Sequence, residues 1–165
     1  HGTTMPEVAS RAGVAAGTIY RYFASKEALV NAVFQREKGA LGRALLDGFP
    51  AHAPAQEQFH PFWRRYAAHA TANRTAFEFL ERHHHARYLD EESRAVEARV
   101  LQAGIELLAE AQRQGAIKPL SPALLIAHVY GSFASMVKVS GMGFFELDEG
   151  TLDAGESCVW VEIRL

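Results

Sequence analysis

The chain has little cysteine. Cys158 is its only one, so no disulfide can form within its 165 residues. That excludes a disulfide-stapled scaffold and fits a reducing cytoplasm. No apolar run approaches the roughly 20 residues a membrane span requires. No secretory leader is recognisable, and a first residue of His1 leads us to expect that N-terminal residues are missing. Charge of one sign is also lacking, since 17 Lys and Arg against 19 Asp and Glu leave a net charge of -2. The chain as a whole is therefore not a polycation that binds nucleic acid by bulk charge. Enzyme signatures are missing as well: there is no Gly-x-Ser-x-Gly elbow, no phosphate-binding glycine loop and no His-Glu-x-x-His. Internal repeats and low-complexity tracts are absent.

What remains is an apolar, aromatic chain. Hydrophobic residues make up 48%, with ten Phe, five Tyr and two Trp, enough for a packed interior. The small charge is unevenly spread. Residues 1–40 hold five Lys or Arg against three Asp or Glu, and the rest holds twelve against sixteen. A mildly basic end on an acidic body suits a local contact with DNA.

The punctuation predicts a succession of helices. Thr4-Met5-Pro6-Glu7 reads as a capping box, with Val8, Ala9 and Ala12 as the apolar face behind it. Gly13 ends that helix at a bend needing positive φ. A second short helix is expected over 15–23, and Ser25 caps a third that keeps helical spacing as far as Phe49. Pro50 and Pro54 mark a loop, which divides the chain into a head, 1–49, and a body, 50–165. In the body, Pro61 suits a helix start, giving 61–73, and Asn73-Arg74 is a junction before 74–87. An amphipathic helix follows over 91–114, and Ser121-Pro122 starts another that runs to about Ser140. The end is ambiguous. Leu152, Val159 and Ile163 fit one side of a helix, whereas Val159, Val161, Ile163 and Leu165 alternate as in a strand, which local pattern slightly favours.

A short helix, a tight Gly13 turn and a second short helix form a helix-turn-helix, whose second helix enters the major groove. Gly2-Thr3-Thr4, Ala9, Ala12-Gly13-Val14, Gly17-Thr18-Ile19-Tyr20, Tyr22-Phe23 and Ser25-Lys26-Glu27-Ala28-Leu29 stand at fixed spacing. This stretch resembles the DNA-binding domain of the tetracycline-repressor (TetR) family, over less than a third of the chain. The resemblance implies an all-α fold, with a helix-turn-helix domain followed by a helical bundle for ligand binding and dimerisation. It implies that Thr4, Tyr20 and Lys26 hold phosphates. It turns Ala16, Gly17, Thr18 and Arg21 to the groove, places Tyr22 at the backbone edge, and makes Ala9, Val14, Ile19 and Phe23 core. Two departures stand out. Ala15 occupies an N-cap where the family usually has Ser, a loss of about 1 kcal/mol. The family's first helix would precede His1, so the head is expected to be held loosely.

The resemblance also implies a cytoplasmic, non-enzymatic regulator without cofactor or metal, repressing by family default. Its partners would be double-stranded operator DNA, a small apolar or aromatic effector and a second copy of itself, with no membrane. Candidate pocket walls are Phe59, Phe62, Trp63, Tyr66, Phe77, Leu80, Ile105, Leu108, Tyr130 and Phe133, with His84 and Tyr130 as polar members. The same residues would equally serve a plain core. Ala127, Gly131 and Ser135 lie four apart, as a close helix–helix seam between subunits would need.

Histidine supplies the competing readings. His83-His84-His85 could make a metal-sensing regulator, although consecutive helical residues diverge by about 100°. Glu57-x-x-His60 and Glu81-x-x-His84 repeat the spacing of carboxylate di-metal oxidases. Pro61 beside His60 argues against the latter, and a solvated face is the plainer account of the cluster.

Overall fold

The computed structural model describes residues 3–81 and 87–165. Among them are helices α1 (Met5–Arg11), α2 (Ala16–Tyr22), α3 (Lys26–Leu46), α4 (Ala55–Ala72), α5 (Arg74–Glu81), α6 (Glu91–Arg113), α7 (Pro122–Gly141) and α8 (Glu149–Ile163). The all-α expectation holds. The triple histidine and His84 lie outside the described residues.

The capping logic read from the sequence is largely realised. The Glu7 amide donates to Thr4 Oγ1 at 3.4 Å while the Thr4 amide donates back to Glu7 Oε2 at 2.6 Å. Gly13 adopts φ 68° and the Val14 amide reaches back to the Ala9 carbonyl, closing the turn. Ser25 Oγ accepts from the Ala28 amide to start α3, and Ala15 offers α2 no side-chain cap. Ser121 stands at the N-cap of α7, but its side chain makes no capping bond.

Three expectations need correction. Pro61 does not begin α4, which starts at Ala55 and carries Pro61 inside it. The local sequence hides this because the start is held from afar. Gln114, at the end of α6, accepts from the Ala55 amide at 3.0 Å, and Gln58 Nε2 donates to the Ala51 and Ala53 carbonyls. The last segment is a helix rather than a strand. Asp148 caps it through the Thr151 amide at 2.8 Å, and Leu152, Val159 and Ile163 bury one face while Val161 points to solvent. The strand tendency survives only past the helix end, in an antiparallel bridge between Ile117 and Arg164. Val14, expected in the core, is 42% exposed, and Ile19 and Phe23 are half-buried. Among the described residues only Ala9 and Met5 of α1 and α2 are buried, so the head owes little to burial.

The body is built around α4. Trp63, Tyr66, Ala67 and Ala70 face Phe77, Leu125, Val129 and Phe133, with α3, α5 and α8 packed against α4. Trp63 meets Phe133 edge-on at 5.3 Å, and Tyr66 lies 4.4 Å from Phe133 between ring centres. Such arrangements add about 0.5–1.5 kcal/mol per pair beyond the area buried. The 21-residue α3 joins the two parts. It leaves the head at Ser25 and packs most extensively on α6.

Candidate nucleic-acid interface and ligand cavity

None of the residues of α2 is buried, so the helix presents its side chains outward. Gly17 and Thr18 are exposed, Ala16 is partly covered, and Tyr20 and Tyr22 are 51% and 72% exposed. A Cβ added at Gly17 would meet nothing within 4 Å, which leaves the backbone open to close approach. The Arg21 guanidinium sits 5.9 Å from the centre of the Tyr22 ring, within cation–π range. This face offers phenol, hydroxyl and guanidinium donors and no carboxylate, a set that suits phosphate and base edges.

Thr4 is engaged. Its hydroxyl donates to Glu7 Oε2 at 3.0 Å and accepts the Glu7 amide. The Thr4 backbone and side-chain bonds hold the Glu7 carboxyl below its ordinary range, and the charges of Arg11 and Lys26 lower it further. Thr4, Glu7, Arg11 and Lys26 thus form one neighbourhood beside α2. Arg11 was not singled out from the sequence. Its position in the last turn of α1, exposed and cationic, is the signal that could have found it.

In the body a cavity of about 420 Å³ lies between α3, α4, α6, α7 and α8. Of the residues proposed from the sequence, Phe59, Phe62, Tyr66, Leu108 and Tyr130 line it together. Trp63, Phe77 and Phe133 are enclosed in the core, and Leu80 and Ile105 are also outside the lining. Trp63 is fully buried, and its indole N–H donates to the Leu152 carbonyl at 3.0 Å. The sequence reading missed Leu41, Leu45 and Phe49 from α3 and its end, Val100, Leu101 and Leu107 from α6, and Trp160 and Ile163 from α8. Helical spacing along α3 was visible, but which neighbour that face meets was not. Among the described lining residues, charge is confined to Lys38, Arg94 and Glu97, with Lys38 Nζ 4.0 Å from Glu97. Leu101 is 43% exposed, so the cavity reaches solvent along α6.

On the far side of the body, α7 and α8 leave small and apolar residues open. Leu124, Ala127 and Ser135 of α7 and Ala154, Ser157, Cys158 and Val161 of α8 are exposed, and Gly131 is half-covered with free space above its Cα. His128 Nε2 meets Glu162 Oε2 across the two helices at 2.6 Å. By length and composition α7 could cross a membrane, with a mean hydropathy of 1.3, although His128 and Lys138 interrupt its apolar run. Its inner face is nevertheless core, through Leu125, Val129, Phe133 and Val137.

Of the histidine readings, the pair Glu57 and His60 falls within the described residues, while His83, His84 and His85 lie outside them. His60 Nδ1 lies 2.9 Å from both oxygens of Glu156, an ion-pair arrangement that leaves Glu57 aside. Among the described residues no group of three or more His, Cys, Asp or Glu could hold a metal ion.

A short-helix head with an outward recognition helix, joined by one long helix to a hollow helical body, defines the class: a two-part helix-turn-helix regulator. Comparison with known proteins agrees. Residues 1–33 match the model of bacterial regulatory proteins of the tetR family, and residues 34–165 match the tetracyclin repressor-like C-terminal domain. The chain belongs to the TetR family of transcriptional regulators. It resembles a TetR-family regulator from Vibrio parahaemolyticus at 25% identity and a TM-score of 0.74, covering 99% of this chain and 88% of that one. A TetR-family regulator from Marinobacter aquaeolei VT8 shares the fold at 21% identity and a TM-score of 0.84, covering 98% and 85%. The fatty acid degradation regulator FadR from Bacillus halodurans shares it at 19% identity and a TM-score of 0.72, covering 97% and 88%. No curated protein sequence matches.

Proposed function

We propose that this regulator is a cytoplasmic, homodimeric repressor released from its operator by a small apolar or aromatic effector. Residues 1–49 would serve as the DNA-binding head with its connecting helix, and 50–165 as the effector and dimer part. The observation that carries this reading is the cavity's shared wall. The helix that leaves the recognition motif at Ser25 supplies Lys38, Leu41 and Leu45 to a largely apolar cavity of about 420 Å³. Filling that space bears on α3, and α3 bears on the head. An effector shifts the DNA-bound population only by its differential affinity for the two placements of α3.

Thr18 and Arg21 would read base edges, with Ala16 and Gly17 allowing close approach. Tyr20, Tyr22 and Lys26 would hold phosphates, Thr4 joining them only by giving up its bond to Glu7. The open faces of α7 and α8, centred on Ala127, Gly131 and Ser135, would meet the same faces of a second copy. Two heads related by a two-fold axis then suit half-sites one helical turn apart.

The test is a gel shift of the full-length protein on DNA flanking its own gene, at two salt concentrations with excess competitor. Specific, salt-sensitive retention is expected. Tyr20→Phe combined with Lys26→Ala should weaken binding to every sequence and reduce the salt slope by about 1. An unchanged slope would remove Lys26 from the phosphate contacts, and no specific retention on any operator fragment would overturn the repressor reading.

A further inference from the structure

Among the described residues that line the cavity, Tyr66 is the one with a buried polar atom out of place. The residue is 2% exposed, and its hydroxyl is buried with no hydrogen-bond partner among the described residues. Its ring is held among Phe62, Phe77, Tyr130 and Phe133, with ring centres 4.4 to 6.2 Å away. A buried donor left unmade is costly, and native interiors keep few of them unless a ligand or another function uses them. Tyr66 also lines the cavity that α3 shares, so the side chain that carries the unused donor forms part of the wall an effector would touch.

Resting on the reading of this cavity as the effector site, we propose that the effector carries a neutral hydrogen-bond-accepting oxygen on an apolar body, and that the Tyr66 hydroxyl donates to it. The donor's character fixes the ligand's. Burial pushes the phenol well above its ordinary pKa, so it stays protonated and can give its hydrogen. The charge of Glu81 raises it further, which places a negative charge near the hydroxyl and disfavours a carboxylate there. The rings around Tyr66 would also strip an anion of water, while the cations of the lining, Lys38 and Arg94, stand with Glu97 on α3 and α6. A ketone, ester, ether or alcohol oxygen meets none of these objections. Near 420 Å³, toward the lower end of the roughly 300–1,000 Å³ usual for ligand pockets, the space suits a body of one or two fused rings or a medium alkyl chain.

Three probes of matched body separate the possibilities: 2-acetylnaphthalene, its isostere 2-isopropylnaphthalene without an acceptor, and 2-naphthoate. Dissociation constants are measured by equilibrium dialysis on the full-length protein and on Tyr66→Phe, which keeps the ring and removes the donor. The acetyl compound should bind the wild type about 3- to 10-fold more tightly than the isopropyl compound, and Tyr66→Phe should abolish that preference while leaving isopropyl binding unchanged. Naphthoate should be the weakest of the three. Leu108→Trp, which fills the cavity, should weaken all of them. If the acetyl preference survives Tyr66→Phe, or naphthoate binds best, the assignment of the hydroxyl falls while the cavity remains the effector site. If no probe binds, or binding ignores Leu108→Trp, the reading of the cavity falls and the assignment with it.

Discussion

Asn31 offers the sharpest test of how the head-bearing helix is tied to the body. It is buried on α3, and its amide satisfies all four of its hydrogen-bonding positions. Nδ2 donates to the Glu27 carbonyl at 2.9 Å and to the Tyr88 carbonyl at 2.8 Å. Oδ1 accepts from the Asp90 amide at 3.0 Å and from Ser93 Oγ, itself fully buried, at 2.7 Å. Three of these bonds reach the start of α6, where Asp90 is also the N-cap. Asn31→Ala removes all three and takes away the acceptor of the buried Ser93 hydroxyl. At about 1 kcal/mol net per bond, with water refilling part of the Tyr88 and Asp90 positions, the loss is about 2–3 kcal/mol. For a chain of this size that lowers Tm by roughly 5–12 °C. Thermal and urea unfolding, followed by circular dichroism at fixed protomer concentration, measures it, because association would otherwise shift the midpoint. Gln35→Ala is the control. Its side chain reaches Ser93 Oγ at 3.1 Å and Asp90 Oδ1 at 3.5 Å from a more exposed position, so about 0.5 kcal/mol is expected. If Asn31→Ala costs no more than Gln35→Ala, the network does not fasten α3 to α6 and the reasoning fails.

Gly42 of α3 packs on α6, where an added Cβ would lie 2.9 Å from Val100 Cγ2. Gly42→Ala should therefore destabilise by up to about 2 kcal/mol, overpacking outweighing the helix preference for alanine, yet stabilise by up to about 1 kcal/mol in a Val100→Ala background. A double-mutant cycle in urea reads the reversal, and the same sign in both backgrounds would refute the contact. Trp63→Ala should cost about 3–5 kcal/mol and the bond to Leu152, measured as loss of cooperative unfolding, whereas a change in effector affinity alone would return Trp63 to the cavity wall. The carboxyls of Asp90 and Asp148 are held below their ordinary range, chiefly by the amides of Ser93 and Thr151 that they cap. A depressed folded pKa adds stability above the unfolded value of about 4 and loses it as pH falls through the folded value. Asp90→Asn with Asp148→Asn keeps the caps and removes the titration, so unfolding midpoints between pH 5 and pH 2 should fall less steeply than in the wild type.

Much of the head was legible because its signals are local. A capping box spans four residues, a positive-φ glycine names its own turn, and Ser25 caps the helix it precedes. The errors came where a partner distant in sequence decides the outcome. Gln114 fastens the start of α4 from 59 residues away, which no window around Pro61 contains. Val159, Val161 and Ile163 carry strand preference, but burying Leu152, Val159 and Ile163 against the body requires the helical period, and tertiary packing overrides so weak a bias. The cavity was half legible for the same reason. Aromatic residues on α4 were visible, and five of the proposed residues do line it. The sequence could not tell that Trp63 turns to Leu152 and Phe133, while Tyr66, three residues on, reaches the cavity. Three residues advance a helix by about 300°, a net offset of about 60°, so the two rings share Phe133 while only the second reaches the cavity. That division gives the two tryptophans different parts: Trp63 is structural, and Trp160, on the helix whose conformation was misread, lines the cavity. Ligand entry should therefore report through the fluorescence of Trp160 and leave the emission of Trp63 unchanged.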